Sequence, residues 1–90
     1  MNEQVLTVEE MKATLVQTIG FEQPLSITKK NKETMTGFIR GFADLACNIL
    51  LVSDKIDSLS MRIVEIRNIN QVVYPHHLNN SPGARILRAK

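Results

Sequence analysis

A change of hydrophobic period between Gly20 and Pro24 constrains the fold of this 90-residue chain more than any other feature. Before it, Met11, Leu15 and Ile19 recur at four-residue spacing with Val8 and Val16 beside them, a single apolar stripe on a helix. After it, Leu25-Ser26-Ile27-Thr28-Lys29 alternates with period two, the pattern of a half-buried strand. One short amphipathic helix cannot bury its stripe by itself, so it has to lie on the strands that follow. The chain is predicted to be mostly β with one N-terminal α-helix.

The helix is expected over about 7–19. Thr7 suits the N-cap, Glu10 completes a Thr-x-x-Glu capping box, and Leu6 with Met11 forms a hydrophobic staple. Glu9 and Glu10 suit the positive end of the helix dipole, and Gly20 the C-cap. Five strands are expected over about 24–75. Asn31-Lys32 is the predicted turn between the first two strands, because asparagine accepts a positive φ. Gly37 and Gly41 interrupt the second strand, which in a small barrel marks a bulge or bend. The third is the continuous apolar run Asn48 to Val52, the fourth runs from Leu59 to Ile66, and a short fifth runs from Asn70 to Tyr74 and stops at Pro75. Residues 1–75 then form one domain, and 76–90 a basic, flexible tail containing Asn79-Asn80-Ser81-Pro82-Gly83.

A chain this short builds a thin core, so a partner is expected to add stability. Three Phe, one Tyr and no Trp make that core aliphatic. The single cysteine, Cys47, excludes an internal disulfide framework and fits a reducing, intracellular compartment. No apolar run reaches the length of a membrane span, and Glu3, Glu9 and Glu10 stand where a signal peptide carries positive charge. Net charge is +2, with the N-terminal part acidic and Arg85, Arg88 and Lys90 unopposed near the end. A nucleic-acid domain usually carries a stronger basic stripe.

Two stretches carry a family resemblance. Gly37, Asp44, Asn48 and Leu51 resemble the glycine, aspartate, asparagine and leucine of the first Sm motif, and Ile66-Arg67-Asn68 followed by a short apolar strand resembles the second. Helix followed by five short strands is also the order of the Sm fold, a five-stranded, strongly bent SH3-like barrel. The Leu15 to Gly20 stretch, and Ala43-Asp44-Leu45-Ala46-Cys47-Asn48 followed by an apolar strand ending at Ser53, are most similar to the Sm-like Gemin subunits of the SMN complex. Ring-forming LSm-like and Hfq-like RNA binders, and bacterial YolD-like proteins, share parts of the same pattern.

The resemblance to Gemin subunits implies a non-catalytic assembly protein of cytoplasm and nucleus that helps arrange Sm proteins for loading onto small nuclear RNA. It implies docking on a sixth-Gemin-like subunit by pairing of fourth and fifth strands, since Sm proteins join in that way. Met61, Ile63, Val64, Val72 and Tyr74 are the side chains expected to flank that ladder. Met11 and Leu15 either pack on the barrel or receive an eighth-Gemin-like helix.

The competing expectation is contact with uridine-rich RNA. In RNA-binding Sm proteins the asparagine reads a base edge and the arginine covers the base, which here places Asn48 and Arg67 in those roles with Asp44 as support. Base stacking contributes on the order of 1–3 kcal/mol per base. Its platform would be Ala46, which has almost no surface to offer, and Asn68 replaces the motif's glycine. The ordinary alternative is that Asp44 and Asn48 cap a turn and Arg67 makes a surface salt bridge. No catalytic residue, metal set or cofactor motif is expected, since His76 and His77 are chain neighbours and Cys47 is the only thiol.

Overall fold

The computed structural model describes residues 2–44, 46, 48–57, 59–78 and 81–90, with backbone alone for residue 2, for 75–78 and for 81–83. Its elements in chain order are strand β1 (Asn2–Leu6), helix α1 (Val8–Val16), β2 (Leu25–Lys29), β3 (Thr34–Asp44), β4 (Ile49–Ser53), β5 (Met61–Glu65), a 3-10 turn (Ile66–Asn68), β6 (Ile69–Leu78) and β7 (Ser81–Ala89). The chain is mostly β with one N-terminal helix, as the period change predicts.

Helix α1 begins as its sequence dictates. The Glu10 N–H donates to Thr7 Oγ1 at 3.2 Å and the Thr7 N–H donates to Glu10 Oε1 at 2.9 Å, closing the capping box. The helix ends at Val16, three residues early. A turn carries the chain to Gly20, which takes a left-handed φ of +89°. Shortening the helix changes its buried face: Met11 and Leu15 are buried, Thr18 takes the next inward position, and Ile19 is exposed. The Thr18 hydroxyl meets the cost of burial by donating to the Leu15 carbonyl at 2.8 Å.

The strands form one seven-stranded mixed sheet, ordered β1-β7-β6-β2-β3-β4-β5, that does not close into a barrel. This corrects the expected five-stranded barrel, and the two added strands lie side by side at one end. β3 is the bent member: its first part pairs with β2 from Thr34 to Gly37, and its second part with β4 from Phe38 to Asp44. The register shift between Ile39 and Gly41 is a bulge, with Gly41 at φ +148°. Gly37 acts differently from the expected bend. A Cβ there would lie 2.6 Å from the Ser53 carbonyl oxygen, so glycine is what lets β3 approach β4. At the β2–β3 turn Lys32, not Asn31, takes the positive φ of 72°. Asn31 shapes the turn through its side chain, whose Oδ1 accepts from the Glu33 N–H at 3.0 Å.

The expected flexible tail carries β7, and β6 does not stop at Pro75. β6 runs on to Leu78 and pairs antiparallel with β7 from Gln71↔Arg88 to Leu78↔Ser81. Pro75 is tolerated because the β2 ladder ends at Ser26↔Val73, leaving β6 a single neighbour at the proline. Asn79 and Asn80, read as part of a turn or linker, lie outside the described residues. β1 then pairs parallel with β7, from Asn2↔Arg85 to Leu6↔Ala89. The core gathers one aliphatic cluster from every layer, including Leu15, Leu25, Ile27, Leu50, Ile69, Val72 and Leu87, with Tyr74 its one buried aromatic.

Candidate functional site

The sheet ends in two edges of unlike chemistry. Among the described residues β5 is the last strand at one end and pairs with β4 alone, from Ile49↔Glu65 to Ser53↔Met61. Alternation along β5 turns Val64 into the core and leaves Ile63 67% and Met61 43% exposed on the outer face. Leu51 lies directly opposite Ile63 on β4 and is half-buried, so the apolar strip continues across two strands. Leu59, in the connection just before β5, is 94% exposed. The other edge is β1, where Glu3 pairs with Arg88 and Gln4 accepts from Arg85 Nη2 at 2.5 Å.

Of the side chains expected to flank a docking ladder, only Met61 and Ile63 reach the surface. Val64, Val72 and Tyr74 are buried in the central cluster, and so are Met11 and Leu15, the helix residues expected either to pack on the barrel or to receive another helix. The reason for Val72 and Tyr74 is β7: Leu87 lies opposite Val72, and Arg85 opposite Tyr74 sets its guanidinium 6.0 Å from the ring centroid. Phe21 covers the ring from another side at 5.8 Å between centroids. The expected fifth strand, β6, therefore has neighbours on both sides, β2 and β7, and presents no edge.

The second set of expected residues, Asp44, Asn48 and Arg67, converges at one end of the sheet. The Ile66 N–H donates to the Asn48 carbonyl at 2.9 Å, bringing the β3–β4 loop against the 3-10 turn that carries Arg67. Asn48 takes φ 58°, a left-handed conformation that asparagine visits more readily than most residues. Its Oδ1 is buried and has no hydrogen-bond partner among the described residues. Asp44 Oδ1 accepts from the Ala46 N–H at 2.9 Å, a turn cap. Arg67 is exposed, with Nε 3.0 Å from Glu65 Oε2, and Asn68 Nδ2 donates to the same oxygen at 3.2 Å. An exposed pair of this kind holds its partner loosely.

The β2–β3 turn joins the same end, since the Lys30 N–H donates to the Asn68 carbonyl at 2.8 Å. Between these turns lies an open depression of about 450 Å³ lined by Lys29, Lys30, Asn31 and Asn68. Neither the lysine-lined depression nor the exposed Leu59 was among the residues singled out from sequence. Leu59 stood only as a strand start, and the lysines are spread over a turn whose neighbours cannot be read along the chain.

Among the described residues no three of His, Cys, Asp and Glu gather as a metal set, and no helix is long and apolar enough to cross a membrane. Cys47 and the side chains of His76 and His77 lie outside the described residues. No protein-family model matches this chain, and neither does any curated protein or solved structure.

Proposed function

We propose that this chain is a non-catalytic assembly subunit that docks another Sm-like protein by strand addition along β5. The observation that carries this reading is an unpaired strand edge flanked by exposed apolar side chains, Met61 and Ile63 with Leu59 beside them. An edge strand leaves a row of N–H and C=O groups ready for another chain, and side chains at alternate positions supply specificity. In this reading residues 8–75 form an Sm-like unit: α1, then β2 to β6, with β3 bent at Gly41. The resemblance to Gemin subunits supplies the setting, the arrangement of Sm proteins for loading onto small nuclear RNA.

Docking uses one edge of that unit, the fourth of its five strands. The fifth is β6, whose outer side is taken by β7. Ile63→Lys places a charge in the ladder's flank while leaving the core untouched. It is expected to weaken co-purification with an Sm-like partner at least tenfold, measured by quantitative pull-down. A complex of unchanged affinity would overturn the docking reading.

A second reading, contact with uridine-rich RNA, is favoured by the bond that sets Asn48 against the turn bearing Arg67, beside a depression lined by two lysines. On this reading Asn48→Ala with Arg67→Ala removes oligouridylate affinity while the fold persists. Equal binding by wild type and double variant would end it.

A further inference from the structure

The open edge is complementary to itself. β5 reads Met61-Arg62-Ile63-Val64-Glu65, and directly opposed residues of an antiparallel pair lie on the same face of the sheet. Two copies can therefore pair only in registers that keep the outward residues outward. With Ile63 opposite Ile63, all five residues pair, Met61 stands opposite Glu65 and Arg62 opposite Val64, and no like charges face each other. A shift by two residues one way opposes Arg62 to Arg62. The shift the other way opposes Ile63 to Glu65, and both shifts shorten the ladder.

The charges on this strand already have partners within the chain. Arg62 Nε is 3.7 Å from Asp54 Oδ1, and Glu65 Oε2 is 3.0 Å from Arg67 Nε, so pairing leaves neither unopposed. The outer face then places two Ile63 side chains on the axis with Met61 and Leu51 of each copy around them. Four of the nine large exposed hydrophobic residues among the described ones, Ile56, Leu59, Met61 and Ile63, fall within this one segment.

β1 offers no equal match. Its Glu3 and Gln4 are engaged with Arg88 and Arg85, and a β5-to-β1 contact would be head to tail, which gives a ring or a filament according to whether its rotation closes. A twofold pair closes. Resting on the docking reading above, we propose that the Sm-like partner at β5 is a second copy of this chain, paired antiparallel about a twofold axis through Ile63.

Cross-strand Cα atoms in such a ladder are about 4.5–5.5 Å apart, within reach of a disulfide. In a Cys47→Ser background, Ile63→Cys should oxidise to a covalent dimer at least tenfold faster than Val5→Cys, placed at the other sheet edge. The native mass of the wild type should be twice the 10.2 kDa of one chain, and that of Ile63→Lys should be 10.2 kDa. Circular dichroism melts confirm folding, since position 63 is exposed. A wild-type monomer with cross-linking no faster at 63 than at 5, or a six- or seven-membered ring, overturns the self-pair. If that monomer still binds another Sm-like protein in an Ile63-dependent way, the self-pair alone has failed. If Ile63→Lys changes neither, the docking reading has failed with it.

Discussion

Gly37 shows how one residue sets the relation between two strands. Its missing Cβ is the space through which the Ser53 carbonyl and Val52 Cγ1 reach β3, at 2.6 and 2.7 Å from where that atom would stand. Backbone on one side leaves little room to yield, so Gly37→Ala is expected to cost about 1–3 kcal/mol, read from the midpoint of urea unfolding. Sequence marked this glycine as important but for a bend, because a lone glycine in a strand looks the same whether it serves curvature or close approach. Glu10 and Glu33 each add to the acid response. Glu10 is held below the usual carboxylate value of 4.5 first by the Thr7 backbone N–H and then by the Thr7 side chain, and Glu33 by Lys29 and then Asn31. A depressed folded-state value contributes stability that is fully present above about pH 4.5 and lost as pH falls through the folded value. Glu10→Gln should therefore lower the melting temperature at neutral pH and flatten its fall on acidification. An identical slope in wild type and variant would contradict the cap's part in it.

The strands differ in how far they could be read. β2 and β4 were legible because alternation and a continuous apolar run are local signals: Leu25, Ile27, Leu50 and Val52 are buried, although a continuous run implies cover on both faces and Ile49 and Leu51 are only half-buried. β7 was not. Among its described side chains only Leu87 is fully buried, flanked by Arg85 and Arg88, which read as a solvated tail until Arg85 is placed over Tyr74 and Arg88 against Glu3. β1 was invisible for the same reason: Asn2–Leu6 has no periodic signal and exists through its pairing with β7, over eighty residues away. The candidate site inherits this limit. Met61 and Ile63 stood out as strand side chains, but the separation of surface from core at Val72 and Tyr74 depended on a strand the sequence concealed. Leu87→Ala should cost about 2–5 kcal/mol, as for a buried leucine elsewhere, whereas the same change in a flexible tail would cost nothing. Thermal or urea unfolding separates the two. Val72→Asp would test folding and not docking, since its side chain is fully buried.

The whole molecule is one seven-stranded mixed sheet with a single helix, and the two ends of the sheet differ. At one end β7 and then β1 cover β6, with the Glu3–Arg88 ion pair and the Arg85–Gln4 hydrogen bond along the last seam. At the other, β5 is left with apolar side chains outward and no neighbouring strand beyond it among the described residues. A ring built from fourth and fifth strands needs both edges in every subunit, and here the fifth-strand edge is occupied from within. Assembly through β5 alone is finite, a single partner per chain. Hydrogen exchange at individual amides reads this directly, comparing the free chain with the assembled one. Amides of Met61 to Glu65 not bonded to β4 are expected to exchange fast in the free chain and to become protected on assembly, while those of β6 are protected in both. Protection that appears first along β6 or β7, with β5 unchanged, would contradict assembly through β5.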